Sequence, residues 1–190
     1  MKNLLAAIII FSFFSCEKDN GSNNDIPEPT VVTLPNLINN SGFEINGIAS
    51  FSNWNYTSGP IGIDTFSTDV PATGGMYSLR LEPLWLPGEG AVETYITGLT
   101  GSHQYQLNFK SKCINIINQQ ATASVYIKAN FVAGIQSLGF GNAQWSSYTI
   151  TTSLLSLTPT DTLVVKLSAG STEVANWQVL FDNVELYQLP

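Results

Sequence analysis

Few side chains in this chain could carry out chemistry. His103 is the one histidine in 190 residues. It lies in the turn-like run Gly101-Ser102-His103-Gln104 with no Ser-His-Asp arrangement around it, so it reads as a solvated turn histidine, not a general base. Glu82, Glu89 and Glu93 are numerous enough to supply the carboxylate pair of a glycosidase, but solvated acids are the simpler reading. Cys113 shares strand parity with Tyr105, Leu107 and Phe109, which makes it a buried, inert thiol. No phosphate-cradling glycine motif, zinc-ligand spacing or nucleotide fingerprint occurs. The residue set points away from an enzyme.

Binding asks for less: an aromatic face for an apolar surface and polar side chains beside it. Trp85 is the first aromatic candidate because Pro83-Leu84-Trp85-Leu86-Pro87-Gly88 is a loop whose two prolines stiffen the backbone on either side of the ring, although such a ring equally suits covering a sheet edge. Tyr95 and Tyr126 are the next, with Glu93, Asn108, Lys110 and Lys128 to read hydroxyls. Trp54, Trp145 and Trp177 read as core residues.

Strands must position these residues. Short alternating apolar runs separated by Gly, Pro, Asn and Ser clusters fill the chain beyond Pro35, and none has helical period. The clearest are Ser78 to Glu82, Ala91 to Thr97, Gln104 to Cys113, Ala121 to Phe131, Ser147 to Thr152, Thr162 to Leu167 and Trp177 to Leu186, with earlier candidates at Asn36 to Glu44 and Phe51 to Tyr56. This number of strands implies an all-β antiparallel sandwich. Hairpin turns are expected at Gly98-Leu99-Thr100-Gly101 and Gly139-Phe140-Gly141-Asn142. Alternation turns Tyr105, Leu107 and Phe109 inward and Gln106, Asn108, Lys110 and Lys112 outward. It also turns Val92, Thr94, Ile96, Val125, Ile127 and Ala129 inward, leaving Glu93, Tyr95, Tyr126 and Lys128 outside. If these three strands share a sheet, one face carries rings and hydrogen-bonding groups together.

The N-terminus reads as an export signal. Lys2 precedes an apolar run from Leu4 to Phe14, about half the ~20 residues that cross a bilayer core. Phe13-Phe14-Ser15-Cys16 resembles a lipobox, with Phe13 where Leu is usual, so residues 1–15 are expected to be removed and Cys16 to be lipidated. Acyl chains bury about 0.8 kcal/mol per methylene, enough for lasting attachment. Residues 16–35 then form a disordered tether rich in Asn, Asp, Pro and Thr, able to reach roughly 60 Å when stretched. Glu17-Lys18-Asp19-Asn20 resembles the short surface-export signals of lipoproteins from polysaccharide-degrading Gram-negative bacteria. Loss of Lys2 takes the formal charge from −7 to −8, which argues against nucleic acid or anionic headgroups as partners. The expected location is the outer membrane at the cell surface, with membrane contact through the lipid alone.

The order of motifs carries a resemblance. Asn36-Leu37-Ile38-Asn39-Asn40-Ser41-Gly42-Phe43-Glu44, Trp54, Gly74-Gly75-Met76-Tyr77-Ser78-Leu79-Arg80-Leu81, Ile96-Thr97-Gly98-Leu99-Thr100, Tyr105-Gln106-Leu107-Asn108-Phe109, Trp145 and Phe181-Asp182-Asn183-Val184-Glu185-Leu186 together resemble carbohydrate-binding modules of the family 4 and family 9 type. The resemblance spans about residues 36–187 and implies a galactose-binding-like jelly roll over residues 36–190 with carbohydrate as its partner. It also implies a structural calcium ion near the chain ends, held partly by Glu44 and Asp182, for which Ca²⁺ chemistry of six to eight oxygens is suitable. A plain bulge at Asp182-Asn183 is the alternative, because Phe181 and Val184 cannot share a face under strict alternation. Two other functions stay open: an adhesive envelope lipoprotein with a protein partner, and a small glycan-active hydrolase.

Overall fold

The computed structural model describes residues 33–58, 65–82, 89–115, 120–128, 136–170 and 178–190. The expected signal segment, Cys16 and the expected tether up to residue 32, together with Trp85, Ala129, Phe131 and Trp177, lie outside the described residues. Among the described residues fourteen strands run in chain order. They are β1 (Glu44–Ile45), β2 (Ile48–Ala49), β3 (Asn55–Ser58), β4 (Thr65–Ser67), β5 (Ser78–Leu81), β6 (Glu89–Thr97) and β7 (Gly101–His103). The remainder are β8 (Tyr105–Ile114), β9 (Gln120–Ile127), β10 (Gln136–Phe140), β11 (Ser146–Thr151), β12 (Leu155–Leu157), β13 (Thr162–Gly170) and β14 (Gln178–Gln188). Among the described residues no helix is long and apolar enough to cross a membrane.

Two five-stranded sheets, β10-β9-β13-β6-β3 and β11-β8-β14-β5-β4, enclose the core, and every pairing within them is antiparallel. The fold is the expected all-β jelly-roll sandwich. We call β10-β9-β13-β6-β3 the first sheet and β11-β8-β14-β5-β4 the second. Leu107, Phe109, Leu79 and Phe181 face inward from the second sheet, and Val92, Val125, Val165 and Leu167 from the first, all nearly free of solvent contact. Each such side chain contributes about 1.5–3 kcal/mol by leaving water. β8 alternates buried and half-buried residues along its whole length, as its sequence pattern requires. Cys113 ends that buried row, where burial pushes its thiol up to about 12, so it is inert at neutral pH.

Three segments depart from the sequence pattern for local reasons. Asn36 to Glu44 is not a continuous strand: Asn40 and Phe43 both take φ of 57°, and left-handed residues break a ladder. Isolated bonds tie the segment to β14, from Leu37 N–H to the Leu186 carbonyl, from Val184 N–H to the Ser41 carbonyl and from Leu186 N–H to Asn36 Oδ1. Gly139 to Asn142 is not a hairpin, because Gly139 and Phe140 pair with β9 and the following residues carry the chain from one sheet to the other. Gly98 and Gly101 take φ of 78° and 88°, which glycine adopts freely, but no hairpin forms there either: β6 lies in the first sheet, whereas β7 pairs with β12.

Candidate functional site

Cross-strand register brings Tyr95 and Tyr126 together on the outside of the first sheet. Tyr95 pairs with Val164, and Val164 pairs with Tyr126 on its other side. In the next row Glu93 pairs with Lys166, which pairs with Ser124. Tyr126 reaches diagonally across β13, its hydroxyl donating to Glu93 Oε1 at 2.5 Å, while the Tyr95 hydroxyl donates to Oε2 at 2.9 Å. That crossing explains why Val164 is fully buried although it points away from the core. Lys128 Nζ stands 4.6 Å over the Tyr95 ring. Burial and the Glu93 carboxylate raise the Tyr95 hydroxyl above its ordinary pKa.

This network divides the roles differently from the sequence pattern. Glu93 is only 9% exposed with both oxygens engaged, and Tyr126 is equally covered, whereas Tyr95 is 38% exposed. Tyr95 is therefore the ring this face offers, and Glu93 and Tyr126 hold it in place. Lys166, across from Glu93, was missed by the sequence reading, because its relation to Glu93 depends on the β6–β13 register.

Asn108 and Lys110 are not on this face. β8 belongs to the second sheet, so the expectation that the three strands share one surface is corrected: the candidates divide between opposite outer faces of the sandwich. Around Asn108 and Lys110 lies an open recess of about 450 Å³. Asn108 Oδ1 accepts from Gln106 Nε2 at 3.1 Å and from Thr149 Oγ1 at 2.9 Å. Lys110 Nζ donates to Thr73 Oγ1, and Glu185 accepts from the Tyr187 hydroxyl at 2.8 Å. Thr73, Glu185 and Tyr187 had no sequence signal of their own, since the bulge in β14 resets the alternation that would have revealed the last two.

Glu44 and Asp182 converge beside that recess. A β-carbon placed on Gly74 would stand 2.2 Å from Asp182 Oδ2, one on Gly75 1.8 Å from Glu44 Oε1, and one on Gly42 within 4.0 Å of both side chains. Asp182 is fully buried and its Oδ2 has no hydrogen-bond partner. Burial pushes Asp182 up to about 6; the Asn183 N–H opposes that shift, Glu44 adds to it and Lys110 opposes it. Glu44 accepts from Met76 N–H at 2.7 Å. The bulge is present as well: pairing slips between Asp182 and Glu185, and Asn183 takes φ of 50°. It lets Phe181 and Val184 both reach the core, so bulge and carboxylate pair coexist. Among the described residues no three His, Cys, Asp or Glu side chains gather as metal ligands.

The other candidates are structural. Trp54 is buried, 5.0 Å from the Phe43 ring, and its indole N–H donates to the Asn40 carbonyl. Trp145 is not in the core cluster: it is half-buried and donates to Asp69 Oδ1 at 2.9 Å, beside the Lys112–Asp69 ion pair at 2.5 Å. His103 ends the short strand β7, opposite Leu155, and is not in a turn. Glu82 accepts from Gln178 Nε2 at 3.0 Å.

No family model and no curated protein sequence matches the chain. Solved structures do share its fold. The enzymatically active domain of bacteriophage CBA120 tailspike protein 4 aligns with TM-score 0.63 and 16% identity over 81% of this chain and 21% of that one, so the chain spans about a fifth of the tailspike structure. The carbohydrate-binding module TmCBM61, solved with β-1,4-galactotriose, aligns with TM-score 0.58 and 15% identity over 82% of this chain and 99% of the module. A candidate sugar-binding protein from Bacteroides thetaiotaomicron aligns with TM-score 0.53 and 14% identity, covering 82% of this chain and all of that one. At these identities the likeness establishes the β-sandwich fold.

Proposed function

We propose that the protein is a non-catalytic surface lipoprotein whose sandwich binds glycan through the outer face of the first sheet. Tyr95 carries this reading: among the described residues of the outer face of the first sheet it is the exposed ring, and its hydroxyl is fixed to Glu93. A pyranose C–H face packs on such a ring while neighbouring polar groups read its hydroxyls. The Lys128 contact over the ring contributes about 0.5–1 kcal/mol at an exposed site, little enough for a sugar to replace it and for the ammonium to turn to the hydroxyls. Structural likeness to modules such as TmCBM61, which spans the same fold at nearly full length, supports a sugar ligand. Trp85 is the second proposed platform.

Glu44 and Asp182 are proposed as ligands of a structural Ca²⁺, with backbone carbonyls completing the oxygen set. The buried, unpartnered Asp182 Oδ2 and the glycine-lined space around both carboxylates suit a cation. When bound, the ion supplies positive charge that relieves the repulsion between the two carboxylates. Glu44 and Asp182 then tie the opening segment to β14. Lipid at Cys16 is proposed to hold the domain to the outer membrane at the cell surface, consistent with the lipobox-like Phe13-Phe14-Ser15-Cys16; palmitate labelling lost in Cys16→Ala tests that part.

Residues Thr33–Pro190 form one compact unit by themselves, and a glycan array probed with that unit tests the binding. Spots retained by wild type and lost by Tyr95→Ala are expected. Binding to no glycan would instead favour an envelope protein partner, a reading that the burial of Tyr126 supports.

A further inference from the structure

The second sheet has an outer face that the proposed Tyr95 site does not use. We infer that the recess on β8, β11 and β14 is a second, separate sugar-binding site, taking a short neutral sugar of one or two units. This inference rests on the protein being glycan-binding but on none of the Tyr95-face residues.

Three observations carry it. The first is a fixed pair of hydrogen-bonding groups. Asn108 Oδ1 accepts from both Gln106 Nε2 and Thr149 Oγ1, so the Asn108 amide is held between two side chains. Its Nδ2 donor is left over, as is the Gln106 Oε1 acceptor, and neither has a partner among the described residues. A donor beside an acceptor on a rigid central strand is what adjacent sugar hydroxyls require, and it binds without a further ordering cost.

The second is charge. Lys110 and Glu185 bring one cation and one anion to the recess, and the register sets Lys110 opposite Asp182. The site therefore has no net positive charge with which to favour phosphate, sulfate or uronate, and a neutral polyol fits it best. The third is shape and surface. The volume of about 450 Å³ lies near the lower end of small-molecule sites. Tyr148 supplies an aromatic side chain to its lining, and Tyr187, opposite Gln106, is held through Glu185 in the neighbouring row. A domain with sugar sites on both outer faces could bridge two glycan chains or bind one polymer bivalently.

The test is an amide-resolved NMR titration of the Thr33–Pro190 unit, whose core is closed within itself. The probes are methyl β-galactopyranoside and methyl β-glucopyranoside, with glucuronate and inorganic phosphate as anionic controls. Side-chain amide signals of Asn108 and Gln106 are expected to shift with at least one neutral sugar at millimolar concentration. Asn108→Ala is expected to weaken those shifts at least tenfold while leaving any shifts near Tyr95 unchanged. Thr149→Val, on an edge strand, frees the Asn108 amide to turn and serves as the second variant if Asn108→Ala misfolds. Shifts near Tyr95 alone would overturn the second site and leave the proposed function standing. Shifts in the recess alone would support it while contradicting the Tyr95 face. No shift in the recess with either sugar, stronger shifts with the anions, or shifts unaffected by both variants would each overturn the inference.

Discussion

Tyr126→Phe removes one oxygen from the centre of the Tyr95 network and leaves the ring in place. That oxygen donates to Glu93 Oε1 at 2.5 Å, and both residues are only 9% exposed. A hydrogen bond to a charged group is worth about 1.5–3 kcal/mol, and a deprived carboxylate oxygen that water reaches poorly keeps the loss toward that range. Tyr95 still holds Oε2 and Lys166 still faces Glu93, so we expect about 2 kcal/mol rather than the cost of an orphaned buried charge. For a domain of this size that lowers Tm by about 4–8 °C. In urea the midpoint should fall with no change in slope, since the folded state stays compact. Tyr95→Phe is the internal control: at 38% exposure water can replace its hydroxyl, and about 0.5–1 kcal/mol is expected. A Tm change within about 1 °C for Tyr126→Phe, or a larger loss for Tyr95→Phe, would refute the network as described.

Calcium at 100 times its dissociation constant should stabilise the wild-type domain by about 2.7 kcal/mol, or roughly 5–10 °C in Tm. Asp182→Asn should abolish that response and, in chelator, melt no lower than wild type, because it removes a buried carboxylate whose Oδ2 is unpartnered; equal calcium responses would exclude Asp182 as a ligand. Gly74→Ala places a β-carbon 2.2 Å from Asp182 Oδ2 and 2.8 Å from the Pro71 ring and should cost about 1–3 kcal/mol in urea unfolding. Gly98→Ala meets no atom within 4 Å but sits at φ of 78° and should lose about 1 kcal/mol from backbone strain alone. In alkaline titration, burial raises the Tyr95, Tyr105, Tyr148 and Tyr187 hydroxyls above 10.0. The folded state therefore keeps protons that the unfolded chain releases, so stability present below pH 10 should fall as pH rises beyond it. A urea midpoint that holds or rises as the pH passes 10 would contradict that sign.

Alternation made much of this fold legible. Tyr105, Leu107, Phe109 and Cys113 point inward as their spacing requires, and Val92, Val125 and Ile127 do the same. What periodicity cannot give is which strands share a sheet, so Asn108 and Lys110 were grouped with Tyr95 although β8 pairs with β11 and β14. Outward parity likewise does not mean exposure: Tyr126 folds down across β13 onto Glu93, and both are covered. Asp182 shows the reverse case: the resemblance implies it beside Glu44, while its alternation with Phe181 and Val184 fails, and only the bulge explains how all three are buried. Trp145 carries no signal in its own sequence that its partner is Asp69, a residue 76 positions away.

The central claim is that the Tyr95 face binds glycan, and affinity electrophoresis of the Thr33–Pro190 unit through gels containing a plant β-galactan or a β-glucan tests it most directly. The account predicts retardation of wild type by at least one polysaccharide, lost in Tyr95→Ala although that variant melts close to wild type. Retardation unchanged by Tyr95→Ala, or migration of wild type unaffected by every polysaccharide tried, would contradict it.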